Sequence, residues 1–204
     1  MKKTIILLII TSLAFSGVKA QGTLKAALNE LKSHGKYETL VYYGVDLSHV
    51  HVNDAPKIPR SVEYSQVYPS AWISFIEKEL PPDGYVRPAL RFSNFTYAQQ
   101  EIFDKSINAD PQLIVGYDST IPPDSIAAIV SGYLLQSKAG LGLVLIPENF
   151  SKPKETATTW VVFFDITSRK IIYMTKIFGK CDHMGYTAHW GSGVVEGFRY
   201  FLNH

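Results

Sequence analysis

The chain of 204 residues contains one cysteine, Cys181. A single cysteine excludes a disulfide within the chain, so the fold has to rest on its core, which a chain of this length can build without staples. No cysteine closes the first apolar run either, so the lipid attachment of a bacterial lipoprotein is not expected. Charge is scarce at 19% of residues, and the first twenty hold no Asp or Glu. Lys2, Lys3 and Lys19 fall there, which leaves 17 basic against 18 acidic side chains after Ala20. A nearly neutral surface lacks the basic patch that phosphate neutralisation requires, so no nucleic-acid partner is expected. Four common catalytic signatures are missing as well. Gly140-Leu141-Gly142 has neither the third glycine of a dinucleotide fingerprint nor the Gly-Lys-Ser/Thr of a P-loop. Gly191-Ser192-Gly193 is not a nucleophile elbow, and it falls in a helical pattern. The scattered acids single out no glycosidase pair.

What is present is a folded protein's composition, 46% hydrophobic and 13% aromatic, at a length that suits one domain. Its N-terminus reads as a targeting segment. Lys2-Lys3 is a positive n-region, Thr4 to Phe15 is apolar, and Val18-Lys19-Ala20 sets small residues where a signal peptidase reads. The apolar run is about twelve residues, short of the ~20 that span a bilayer. Residues 1–20 are therefore expected to be a signal peptide and 21–204 one globular domain, periplasmic or secreted, soluble, and without a transmembrane segment after cleavage. Asn94-Phe95-Thr96 and Asn149-Phe150-Ser151 match the glycosylation sequon, but the short Lys-Lys leader looks bacterial, which argues against their use.

Apolar periodicity lays out the elements. Leu24, Ala27, Leu28 and Leu31 mark a helix from Thr23 to His34. Leu40 to Val45 (LVYYGV) reads as a buried strand. Pro69 opens a second helix through Trp72, Ile73, Ile76 and Leu80. Tyr85 to Phe92 fits an edge strand, because Pro88 cannot donate to a ladder, and a third helix is expected from Phe95 to Asn108. Gln112 to Tyr117 reads as a short strand, and Pro122-Pro123-Asp124-Ser125 starts another helix. Gly140 to Ile146, Thr158 to Phe164 and Lys170 to Phe178 are three strands in quick succession. The middle one is apolar on both faces and so is central, and Asp165 to Arg169 turns it into a hairpin. Asn149 to Lys154 (NFSKPK) reads as a polar loop between two of these strands. Tyr186, Trp190, Val194 and Phe198 step by four in a closing helix, Thr187 to Leu202. The expected class is α/β (α+β): a mixed sheet with a C-terminal antiparallel meander, helices packed on the sheet, and a closing C-terminal helix.

The early strand LVYYGVD, the hairpin FFDITSRKIIYMTKIFG and the helix after it resemble the periplasmic α/β domain of curli-secretion-type envelope lipoproteins. The matching positions are Asp165, the turn Thr167-Ser168-Arg169, and Gly179. Gly44 to Ser48 and the Trp190 helix are also similar to small exported proteins of Gram-negative bacteria. The resemblance covers the last third of the chain and one strand. It implies an envelope interaction domain, with another envelope protein or a second copy as partner, and no catalytic residues. The missing lipidation cysteine departs from the lipoprotein pattern.

Two short segments could carry chemistry. In an extended His49-Val50-His51 both imidazoles lie on one face about 6.6 Å apart, a spacing that can chelate a metal, with Asp46 and Asp54 close enough in sequence to assist. Cys181, Asp182, His183 and His189 offer a thiolate and two imidazoles, the donor set of a zinc or copper site. A divalent metal is thus the one cofactor the sequence suggests, and no cofactor is required. Cys181 could instead be a nucleophile served by His183 or His189. A metal-dependent or Cys-dependent hydrolase using Asp46, His49, His51, Cys181, His183 and His189 is the alternative to a binding module. Both segments also fit ordinary polar positions at strand ends, and a lone cysteine commonly just packs. Tyr37, Tyr42, Tyr43, Tyr64 and Tyr68 cluster in the first third. They suit either a contact face or a core.

Overall fold

The computed structural model describes residues 24–33, 37–53, 62–107 and 117–204. In chain order these form α1 (Leu24–Ser33), β1 (Thr39–Val45), β2 (His51–Asn53), α2 (Val62–Glu79), a π-helical turn (Pro82–Val86) and α3 (Arg87–Leu90). There follow β3 (Asn94–Tyr97), α4 (Gln100–Ile107), α5 (Pro123–Ser131), β4 (Leu141–Ser151), β5 (Thr156–Asp165), β6 (Ile171–Lys180) and α6 (Tyr186–Asn203). The strands make one mixed sheet in the order β3-β1-β4-β5-β6. β1 pairs parallel with β3 and with the first half of β4, and β2 pairs parallel with the far half, Asn149 to Ser151. β4, β5 and β6 are successive antiparallel neighbours. The expected class, the meander and the closing helix are therefore all present. No helix among the described residues is long and apolar enough to cross a membrane.

The central strands are apolar on both faces because both faces are covered. Leu141, Leu143, Leu145, Val161 and Phe163 pack with α1, α2 and α6, whereas Val144, Ile146, Trp160, Val162 and Phe164 pack with Ile102 of α4 and Ile126 and Val130 of α5. The result is three layers, helix on sheet on helix. Tyr42 and Tyr43 point to opposite cores and are buried, so these two belong to the interior and to no contact face.

Several boundaries differ from the sequence reading. Tyr85 to Phe92 is no strand: Pro81-Pro82 opens the π-helical turn, and Pro88 sits at the start of α3, where a missing N–H costs nothing. The expected helix at Phe95 starts only at Gln100, because Phe95 to Tyr97, aromatic and β-branched, pair with β1 as β3. α2 begins at Val62 and carries Pro69 inside it, so that proline does not open the helix. The first half of NFSKPK is strand: β4 continues to Ser151 and the turn is Lys152–Glu155, since Asn149 and Ser151 are buried against neighbouring segments. Burial also closes Asn149 to glycosylation. The expected signal peptide, Tyr64, Asp54 and residues 112–116 of the strand expected from Gln112 to Tyr117 lie outside the residues whose side chains are described.

Candidate functional site

The second polar segment is gathered at one end of the sheet. The β4–β5 turn, the chain leaving β6 and the first turn of α6 enclose a cleft of about 440 Å³, lined by Lys152, Glu155, Cys181, Asp182, His183, Met184, Gly185, Tyr186 and His189. Cys181 N–H donates to Glu155 O at 2.8 Å, which ties the end of β6 to the turn. Gly185, at φ 90°, then swings the chain into α6, whose N-terminus has no side-chain cap.

Among the charged and imidazole side chains of the cleft His189 is the least exposed, at 12%. Its Nδ1 lies 3.1 Å from His183 O, so that nitrogen carries the proton and donates. Nε2 is left as the acceptor toward Lys152 Nζ, 3.4 Å away. Lys152 also pairs with Glu155 at 2.8 Å, and His189 Nε2 is 3.9 Å from the same carboxylate. The Lys152 ammonium holds the Glu155 carboxyl below its ordinary range. Beyond this trio, Asp182 and His183 are exposed and 3.8 Å apart. Met184 is 96% exposed on the rim.

Cys181 is the opposite of a reactive thiol. It is fully buried, and its pKa is pushed up to about 12, first by burial and then by the Glu155 charge. The thiolate that a nucleophile or a metal ligand needs is therefore disfavoured. This environment weighs against Cys181 as a nucleophile or a metal ligand. Ser192, the serine between two glycines, donates its hydroxyl to His189 O at 2.8 Å inside α6 and does structural work.

The first polar segment lies elsewhere, and none of Asp46, His49 or His51 lines the cleft. Asp46 is buried and closes an Asx turn, accepting from Ser48 N–H at 2.9 Å and Ser48 Oγ at 2.5 Å, with Tyr133 O–H donating to its other oxygen at 2.7 Å. His49 belongs to that turn, which Val50 N–H closes on Leu47 O. Hence His49-Val50-His51 is not one extended run, and the expected pair of imidazoles on a common strand face is not formed. His51 begins β2, in register with Asn149. Burial lowers its pKa, with Glu148 opposing and His49 assisting, and its Nδ1 has no hydrogen-bond partner among the described residues.

Two polar networks escaped the sequence reading. Glu148, 2% exposed, accepts from Trp160 Nε1 at 2.8 Å and pairs with Lys176 at 2.7 Å, while the Lys176 ammonium rests 4.6 Å above the Trp160 ring. A carboxylate inside the apolar run LGLVLIPENF was the available signal. Asp118 accepts from Asn53 at 2.9 Å and Asn149 at 3.2 Å and pairs with Lys154 at 2.6 Å. Burial alone would raise its carboxyl, but these donors and Ser151 outweigh burial and hold it well below the usual range.

Chemically, the cleft offers both signs of charge and a fixed imidazole beside an exposed apolar rim. Its two His–carboxylate approaches stay as pairs, and among the described residues no three His, Cys, Asp or Glu side chains converge to hold a metal ion. Comparison with family models, with curated proteins and with solved structures returns no match.

Proposed function

We propose that this chain is an exported envelope protein that acts by binding another protein, and that the cleft beside α6 is part of the contact. The observation that carries the reading is the state of the cleft's own groups. The only thiol is buried and held protonated, and the one fixed imidazole already donates to His183 O and accepts from Lys152. Among the described residues of the cleft, no activated nucleophile stands beside a free base. A rim with Met184 almost wholly exposed, beside charged and aromatic side chains, suits recognition better. The leader-like first twenty residues and the resemblance to envelope interaction domains support export and the same class of role. The hydrolase alternative loses support because its two halves, Asp46/His49/His51 and Cys181/His183/His189, do not share the cleft.

The test is photo-crosslinking in a Gram-negative host, with a photoreactive residue at Met184 and a control at Leu134, which is 89% exposed and away from the cleft lining. Discrete envelope-protein adducts from position 184 alone are expected. Identical adduct patterns at both positions, or none at 184, would overturn the reading.

A further inference from the structure

We propose that the outer edge of β6, from Met174 to Lys180, takes up an extended, acidic segment of a partner protein as an added strand. This rests on the binding reading above and names its partner class. β6 is ten residues long, pairs with β5 on one side, and has no strand on the other among the described residues. Such an edge presents a row of unpaired main-chain donors and acceptors, and folded proteins usually shorten, bulge or charge it. Here the bulge is confined to the start of the strand, where pairing passes from Phe163↔Tyr173 to Phe164↔Ile171, and the register from Tyr173 to Lys180 is unbroken. The usable template is therefore the second part of β6.

Charge selects the occupant. Arg169, Lys170, Lys176 and Lys180 lie in or beside β6, and residues 166–181 contain no Asp or Glu. Among the described residues Lys176 pairs with Glu148, and the Lys180 charge helps lower the Glu155 carboxyl without forming an ion pair with it. A second copy is a poor fit. Antiparallel self-pairing centred on Thr175 sets Lys170 against Lys180, centring on Lys176 sets that lysine against itself, and centring on Phe178 sets Lys176 against Lys180. Like charges directly opposite are unfavourable. An acidic strand meets the reverse situation. Lys176, Phe178 and Lys180 succeed one another on one face, with Phe178 49% exposed and Lys180 exposed. An added strand with carboxylate, apolar and carboxylate side chains at alternate positions would lie directly beside them. The main chain would supply affinity and this alternation selectivity, as in strand-addition recognition. Cys181 to Tyr186, which line the cleft, follow β6 directly, so a segment running past Lys180 reaches it.

The probe is the acetylated, amidated heptapeptide TEVFVET, added to the purified protein and followed by amide hydrogen exchange and by titration. At least tenfold slower exchange at Met174 to Lys180 is expected on binding. Affinity should fall at least tenfold for TKVFVKT, for a backbone N-methylated TEVFVET, and for the exposed-site variants Lys180→Glu and Phe178→Ser, whose folding circular dichroism would verify. Unchanged exchange along β6, equal binding of TKVFVKT, or β6 protection appearing in concentrated protein without peptide would each overturn the proposal, the last by giving the edge to a second copy. If crosslinks persist at Met184 while β6 stays unprotected, the edge proposal falls and the binding reading stands.

Discussion

At the scale of the residue, side chains finish what the β1 backbone leaves undone. Gly44, at φ 73°, breaks the β1–β4 register between Tyr42 and Val45. The Gln99 amide stands in for a strand there, accepting from Val45 N–H at 2.7 Å and donating to Val45 O at 3.1 Å. Ser106 Oγ accepts from Leu47 N–H at 2.9 Å. Gln99→Ala orphans the buried Val45 N–H and leaves Val45 O only the long 3.5 Å bond from Ser106 Oγ, and should cost about 2 kcal/mol in urea unfolding; an unchanged midpoint would mean water replaces the amide without loss. Cys181 gives a second residue-scale prediction. With its pKa pushed up to about 12, the native thiol should resist a disulfide reagent at pH 8 and react completely once unfolded. Rapid native labelling would revive the nucleophile. His51 gives a third. Its folded pKa is depressed by burial, below the unfolded value of about 6.5. The unfolded chain therefore binds the proton more readily, and His51's contribution is fully present above that value and lost as the pH falls through and below it. Urea midpoints should drop between pH 7.5 and 5.5, with a smaller drop in His51→Gln. Equal drops would place the effect on the other histidines.

At the scale of the element, the β6–α6 contact shows what spacing alone can and cannot tell. Gly179 of β6 faces Gly193 and Gly197 of α6 so closely that a Cβ at Gly179 would overlap Gly193 O, and one at Gly193 would meet Cys181 Sγ at 2.5 Å. Backbone lies on both sides and cannot yield, so Gly179→Ala should cost about 3 kcal/mol or more. Gly185→Ala is the useful contrast. It has nothing within 4 Å but a φ of 90°, so only backbone strain of about 1 kcal/mol is expected. Comparable losses in thermal unfolding would show that space is not what sets the Gly179 cost. The meander and α6 were legible because apolar runs and a four-residue step report directly on burial. Pro88 misled because a missing N–H suits an edge strand and a helix start equally. β2 was hidden by its length of three residues. The Asp118 network was hidden by distance, since Asn53 and Asn149 meet it from elements remote in sequence. The cleft was half legible. Cys181, Asp182, His183 and His189 do gather there, but Lys152 and Glu155 arrive from another hairpin, and the burial that silences the thiol has no sequence signature.

At the scale of the whole molecule, the two cores are coupled through shared strands. Val161 and Phe163 serve one face and Trp160, Val162 and Phe164 the other, so neither helical layer can detach without uncovering β5. The tryptophans report on the layers separately. Trp72 and Trp190 sandwich Phe150 on the α2/α6 side, with centroids 5.2 and 5.4 Å away, and Trp160 lies on the opposite face under Lys176. If the region is one cooperative unit, fluorescence unfolding should coincide with circular dichroism both in Trp160→Phe, where only Trp72 and Trp190 emit, and in the double variant Trp72→Phe/Trp190→Phe, where only Trp160 does. Each replacement shifts the midpoint by its own packing loss, so the comparison runs between two probes within one variant. An early Trp160 transition would mean that the α4/α5 layer melts first and leaves the β6–α6 side standing. The cleft and the β6 edge would then belong to a subdomain more stable than the rest, and binding there would raise the second transition while leaving the first in place.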